Sequence, residues 1–251
     1  YHDNGFVVPR FTLPAPTLEA LRQALDATLD ENRGVRPEKL VSVHIKGRNP
    51  EGVVGHSTFL EVAQHPDILD MVEQLIGPDI ILWGCQAFCK PGGDGLEVPW
   101  HQDGQYWPIR PLATCTAWIA IDDSTVDNGC LRVLPGSHRD RAVFEHYVDS
   151  RENLTLTNAI ESRHMAGYDK VDIELAAGQM SLHDVYMVHG SNQNLSPNRR
   201  AGLAIRYMPG SSHFDRELLQ PTDASGYLVD FSTRPLWLLR GEDKTGLNNF
   251  R

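Results

Sequence analysis

The chain has no apolar run approaching the roughly twenty residues that cross a bilayer, and it has no basic tract. Its 33 acidic residues outnumber 23 basic ones, for a formal net charge of −10. That balance argues against sequence-independent binding to nucleic acid or to an anionic membrane surface. The opening Tyr1-His2-Asp3-Asn4-Gly5 lacks the charged-then-apolar order of a signal peptide. Cysteine is scarce: Cys85, Cys89, Cys115 and Cys130 fall in apolar, strand-like contexts without zinc-type pairing. Buried thiols rather than disulfides are therefore expected, and a reducing, cytoplasmic location with them. Internal repeats, low-complexity linkers and shifts of composition are also missing. One domain over residues 1–251 is the expectation, since 251 residues that are 41% hydrophobic can bury a full core.

What is present begins with helix and continues as strand. Thr17 can cap a helix running through Asn32, with Leu18, Leu21, Leu25 and Leu29 on one face and Gly34 as the stop. A second helix is read over Pro66 to Ile76, burying Ile68, Leu69, Val72 and Leu75 and ending at Gly77-Pro78. The period then changes. Ile80 to Trp83, Ala113 to Ile121, Cys130 to Leu134, Val171 to Leu175, Met180 to Val188 and Ala201 to Tyr207 read as short strands between turn clusters. Such a series points to a sandwich or barrel.

Within it, Pro99-Trp100-His101-Gln102-Asp103 and the later His189-Gly190-Ser191 carry the chemistry. On extended backbone, residues i and i+2 share a face, so His101 and Asp103 can reach one ion while Gln102 points away. Two histidines and one carboxylate form the facial triad that holds non-haem Fe(II) and leaves three positions open, which predicts an oxygen-activating iron enzyme. His183 in His183-Asp184 is the rival to His189 as third ligand. It would require a different strand register, and a buried histidine behind the ligands is the alternative reading.

A resemblance extends this reading. His101-Gln102-Asp103, the strand ending Ala117-Trp118, the run Asp127 to His138, and His189-Gly190-Ser191 with Arg200 eleven residues on together resemble the phytanoyl-CoA dioxygenase family. The likeness runs from Asn4-Gly5-Phe6 to about Tyr207. It implies a mainly β fold, a double-stranded β-helix or cupin-like jelly roll with a core over about 80–210 and flanking N-terminal helices. It also implies Fe(II), the cosubstrate 2-oxoglutarate and O2. By position, His101, Asp103 and His189 would ligate iron, and Arg200 would pair with the distal carboxylate of 2-oxoglutarate. A planar guanidinium suits that carboxylate better than an ammonium does, and a one-residue swap with Arg199 stays open. In halogenating relatives the position of Asp103 resembles Gly or Ala, so the carboxylate here favours oxygenation.

Further candidates lie around these. Gln86 is either a hydrogen-bond donor to the cosubstrate or a sheet-face amide, and Trp118 either walls the cosubstrate pocket or is core. Arg206 shares a strand face with Arg200, Gly202 and Ala204, and either meets substrate or pairs internally. Gln105, Tyr106 and Trp107 follow the metal strand as a substrate wall or a lid. Lys90 is a candidate for an anionic substrate, with a solvated lysine as the alternative, and His138 reads as a loop-fixing residue. Lys46, Arg48 and the loops over 52–56 and 142–168 carry no assignment.

The expected activity is hydroxylation of an unactivated C–H bond in a small organic molecule, such as a small acid, an amino-acid-like compound or a natural-product intermediate. Succinate and CO2 are the expected by-products, and the protein is read as a monomer or homodimer. Desaturation, ring closure or epimerisation with the same cofactors is one alternative. A cupin-like metal protein without oxygenase activity, or an idle binding barrel, is another.

Overall fold

The computed structural model describes residues 1–218 and 231–250. Its helices are α1 (Ala15–Glu31), α2 (Ser57–Ala63) and α3 (Pro66–Ile76). The principal strands are β1 (Phe6–Val7), β2 (Leu40–Val41), β3 (Ile80–Lys90), β4 (Val98–His101), β5 (Cys115–Ala120), β6 (Leu131–Val133), β7 (Val171–Ile173), β8 (Met180–Asp184), β9 (His189–Ser191), β10 (Arg200–Pro209) and β11 (Trp237–Arg240). The large sheet runs β1-β8-β5-β10-β3-β11, with β2 added beside β3, and the small sheet runs β7-β6-β9-β4. Every pairing in both is antiparallel.

Alternation along β10 decides what each face of the large sheet does. Ala201, Leu203, Ile205 and Tyr207 face the helices and join Leu21, Leu25, Phe59, Ile68 and Val72 in one apolar core. Tyr207 also donates its hydroxyl to the carbonyl of Ala63 at the end of α2 (2.8 Å). The other face carries Gly202, Ala204 and Arg206. There Trp118 and Ala204 of the large sheet pack against Leu131, Val133 and Ile173 of the small one. Two sheets closed over such a core form a jelly roll.

The helix ends differ from the sequence reading. Helix α1 starts at Ala15 rather than after Thr17, because Pro16 in its first turn presets the helical φ and needs no side-chain cap. It stops at Glu31, where the Asn32 amide takes the carbonyls of Thr28 and Val54 (2.7 and 2.9 Å). Helix α2 goes unread in the sequence. It has only seven residues and is capped by the His56 ring, which accepts from the Thr58 N–H (3.2 Å). The segment read as one strand from Met180 to Val188 breaks after Asp184. Its carboxylate accepts from the Tyr186 N–H (2.9 Å), and the Met187 N–H returns to the Asp184 carbonyl (3.0 Å). The chain thereby passes from the large sheet to the small one.

All four cysteines are buried and unpaired, and burial pushes the Cys89 and Cys115 thiols up to about 12. No helix among the described residues is long and apolar enough to cross a membrane. His44, 1% exposed and beside Trp237, has no partner on either ring nitrogen, and burial with Arg234 and Arg206 nearby pushes it down to about 3. Its folded-state pKa lies below the unfolded 6.5, so the unfolded chain takes up a proton that the folded one refuses as pH falls through that window. Between pH 7 and pH 5 this costs about 2 kcal/mol of stability. Thermal melts should show a shallower pH dependence in His44→Leu than in wild type, and parallel curves would refute the assignment.

Candidate active site

His101 closes β4, and His189 opens β9 directly opposite it. Gln102 is still extended (φ −118°, ψ 132°), so the alternation carries one residue past the strand and Asp103 turns to the same side as His101. The ligand atoms of His101, Asp103 and His189 lie within 4.8 Å of one another, and all three residues are buried. Each histidine turns its Nδ1 back on the carbonyl two residues earlier, Pro99 for His101 (2.9 Å) and Met187 for His189 (3.0 Å). That fixes the ring and leaves Nε2 for a metal. The Nε2 atoms sit 3.6 and 4.0 Å from the Asp103 carboxylate.

The electrostatics fit a divalent cation. Burial raises the Asp103 carboxyl, but His189, His101 and His183 outweigh it and hold the group well below its usual range. Burial, with His101 alongside, pushes His189 down to about 3. An ionised carboxylate beside a neutral imidazole is the donor set that metal binding requires. His183 stands on the other sheet, with Nε2 3.8 Å from Asp103 and no hydrogen bond at either nitrogen. Its ring lies 4.8 Å from that of His189.

Gln102, pointing away as the alternation requires, is wholly buried and ties three segments together. It donates to the carbonyls of Ala142 (3.0 Å) and Tyr186 (2.7 Å) and accepts from the Phe144 N–H (2.6 Å). The His146 ring accepts from the Gln102 N–H (3.1 Å). The loop over 142–168, unassigned in the sequence, thus braces the metal strand.

A cavity of about 480 Å³ opens beside the triad. Arg200, 3% exposed, lines it and has no carboxylate partner among the described residues. Its Nε is sealed without a hydrogen bond, and its guanidinium lies 5.2 Å from the Trp118 ring. Burial pulls it down to about 10, still charged at neutral pH. Arg199 faces outward instead, bound to Asp122 (2.8 Å) and Asp26 (2.9 Å). Trp118 lies across Gly202 so closely that a Cβ there would enter the indole. Gly202→Ala should therefore displace Trp118 from beneath Arg200, at about 1–3 kcal/mol of stability. A 2-oxoglutarate titration should show weakened binding with Fe(II) affinity retained, and an unchanged titration would sink this reading.

Arg206, Gln86, Tyr106 and Trp107 also line the cavity. Gln86 accepts from Arg206 Nη2 (3.1 Å), so its carbonyl oxygen is committed to a neighbour. Two candidates are not brought there. Lys90, 1% exposed, donates from its Nζ to the carbonyls of Ser191 and Asn192, and burial beside Arg200 pushes it down to about 6. Gln105 is likewise absent from the cavity wall. His138 fixes a loop, its Nε2 2.9 Å from the His2 carbonyl. Sequence reading missed Trp83, Glu51 and Arg234, which also line the cavity, and Ser191, whose sealed hydroxyl has no partner among the described residues. Alternation could have signalled Trp83 on β3 and Ser191, two residues past His189 on β9, whereas Glu51 and Arg234 lie on irregular segments.

The model of the phytanoyl-CoA dioxygenase family matches residues 1–202. The chain belongs to the phytanoyl-CoA dioxygenase family. It is an Fe(II)- and 2-oxoglutarate-dependent oxygenase, with dioxygen as co-oxidant, and the His101-Asp103-His189 cluster fits the iron. Among its relatives, the phytanoyl-CoA dioxygenase domain-containing protein 1 homolog of Dictyostelium discoideum is 32% identical over 167 residues, 63% of this chain and 59% of that protein. The L-proline trans-4-hydroxylase of Streptomyces griseoviridis is 26% identical over 82% of this chain and 83% of its own length. Among solved structures, the non-heme monooxygenase ThoJ superposes with a TM-score of 0.71 at 25% identity, covering 96% of this chain and 82% of that one.

Proposed function

We propose that the protein hydroxylates an unactivated C–H bond of a small organic molecule. Fe(II), bound together with 2-oxoglutarate and dioxygen, supplies the oxidant, and 2-oxoglutarate leaves as succinate and CO2. His101, Asp103 and His189 would hold the metal from one side and leave the cavity side open to small molecules. Asp103 keeps the carboxylate in the ligand set, which leaves no vacant protein position for a halide. Arg200 would pair with the distal carboxylate of 2-oxoglutarate, with the Ser191 hydroxyl as a further polar contact and Trp118 holding the guanidinium in place. His183, behind Asp103, would orient the carboxylate rather than bind the metal.

The observation that carries this reading is a buried guanidinium with no counter-charge in the same cavity as the triad. In a metal protein without 2-oxoglutarate, Arg200 would remain an uncompensated buried charge, which is costly. The hydroxylase named among the relatives supports a hydroxylation outcome on a small substrate. The test is an absorbance titration of 2-oxoglutarate into the anaerobic Fe(II) protein, followed by mass spectrometry of a metabolite library turned over in air. A 2-oxoglutarate-dependent band, and a product gaining one oxygen atom per succinate formed, are expected. Turnover that consumes no 2-oxoglutarate would overturn the proposal.

A further inference from the structure

The cavity is lined by two further arginines whose surroundings differ. Arg234, 5% exposed, forms an ion pair with Glu51 that is buried on both sides. Arg206 has no such partner among the described residues. Its guanidinium lies 5.6 Å from the Trp83 ring and 5.2 Å from the Trp107 ring. One Nη donates to the neutral Gln86 amide, and Nε has no partner. Backbone register fixes where it points. In one row across the large sheet, His183 pairs with Thr116, and Thr116 with Arg206. Arg206 therefore faces the same interior as the triad.

Counting charges in the loaded cavity identifies what is missing. The doubly charged 2-oxoglutarate and Asp103 together balance iron and Arg200, and Glu51 balances Arg234. Lys39 also lines the cavity but is exposed to solvent, so Arg206 is left as the solvent-sheltered cation of the lining without a counter-charge among the described residues. Its two indole neighbours stand side by side, with ring centroids 4.5 Å apart, and supply aromatic contact to the cation without neutralising it. Trp83 adds an indole N–H that also has no partner among the described residues.

We propose that this part of the cavity is an anion subsite and that the substrate is a small monocarboxylic acid whose carboxylate meets Arg206 beside Trp83 and Trp107. The proposal rests on the oxygenase reading for the position of the reacting carbon. Trp83, Trp107 and Phe231 form an apolar cluster and would cover the carbon skeleton next to the carboxylate.

The test uses the anaerobic Fe(II)/2-oxoglutarate complex, in which the Arg200 site is already filled. A panel of small monocarboxylates, each matched with its primary amide, is titrated while tryptophan fluorescence and the visible band are followed. At least one acid should bind in preference to its amide. Arg206→Gln should weaken that acid by roughly 30-fold or more, the scale of a lost buried charge pair, while leaving 2-oxoglutarate binding unchanged. Gln86→Glu supplies Arg206 with an internal counter-charge and keeps the fold, so it should weaken the same acid in a protein that melts no lower than wild type. Equal binding of acids and amides, acid binding that survives both substitutions, or no binding by any acid would overturn the proposal. A loss of 2-oxoglutarate affinity in Arg206→Gln would reassign Arg206 to the cosubstrate and overturn it as well. Failure of the oxygenase reading looks different, because wild type would then show no 2-oxoglutarate band before any acid is added.

Discussion

His101→Ala and His189→Ala are expected to abolish Fe(II) binding, whereas His183→Ala should keep the metal. The geometry sets this order. His101 and His189 each have Nδ1 held by a backbone carbonyl, so their Nε2 atoms are presented with the Asp103 oxygens as a preformed set. Removing one of three protein ligands exceeds the roughly 10–100-fold loss that follows removal of an outer hydrogen-bond partner. His183 falls in that milder class, since its contact with Asp103 is 3.8 Å and it stands outside the ligand cluster. Metal content of protein reconstituted with Fe(II) under anaerobic conditions reads all three variants at once. Retention of iron by His189→Ala with its loss from His183→Ala would exchange the two roles.

Arg200→Ala should bind Fe(II) normally but require far more 2-oxoglutarate. A buried guanidinium that pairs with a carboxylate contributes about 2–5 kcal/mol when one partner is truncated, or roughly 30-fold and upward in affinity. Its neighbour provides the control. Arg199 already has Asp122 and Asp26, on the outside of the same strand, and Arg199→Ala should leave the 2-oxoglutarate titration where it was. It should cost some stability instead, because Asp122 also accepts from the Ala201 N–H (3.0 Å) and loses its partner. The absorbance titration and a thermal melt separate the two arginines. Equal 2-oxoglutarate affinity in wild type and Arg200→Ala would remove the assignment.

Both predictions turn on residues that the sequence preferred over a rival without excluding the rival. His183 lies in the same apolar segment as His189, and Arg199 and Arg200 are adjacent. Period-2 alternation says which residues share a face, but it cannot say on which sheet the segment lies. The Asp184 turn decides the first pair by sending His183 to the large sheet and His189 to the small one, across from His101. The register of β10 decides the second. Ala204 stands opposite Trp118, which places Arg200, Gly202 and Arg206 inside and Arg199 outside.

The sequence by itself determined the ligand types and the extended spacing that joins His101 to Asp103. It also determined the burial of the cysteines and the apolar face of α3, because these depend on local backbone period and side-chain chemistry alone. Tertiary structure decided whether each charged side chain found a partner. Lys90 and Arg206 both sit at inward positions of neighbouring strands. Yet the carbonyls of Ser191 and Asn192 take up the Lys90 amino group, while Arg206 lines the cavity bonded only to the neutral Gln86 amide among the described residues. The Glu51 that neutralises Arg234 lies 183 residues away in the chain. Counter-charges of that kind follow from where loops close over the barrel, and no periodicity in the sequence records it.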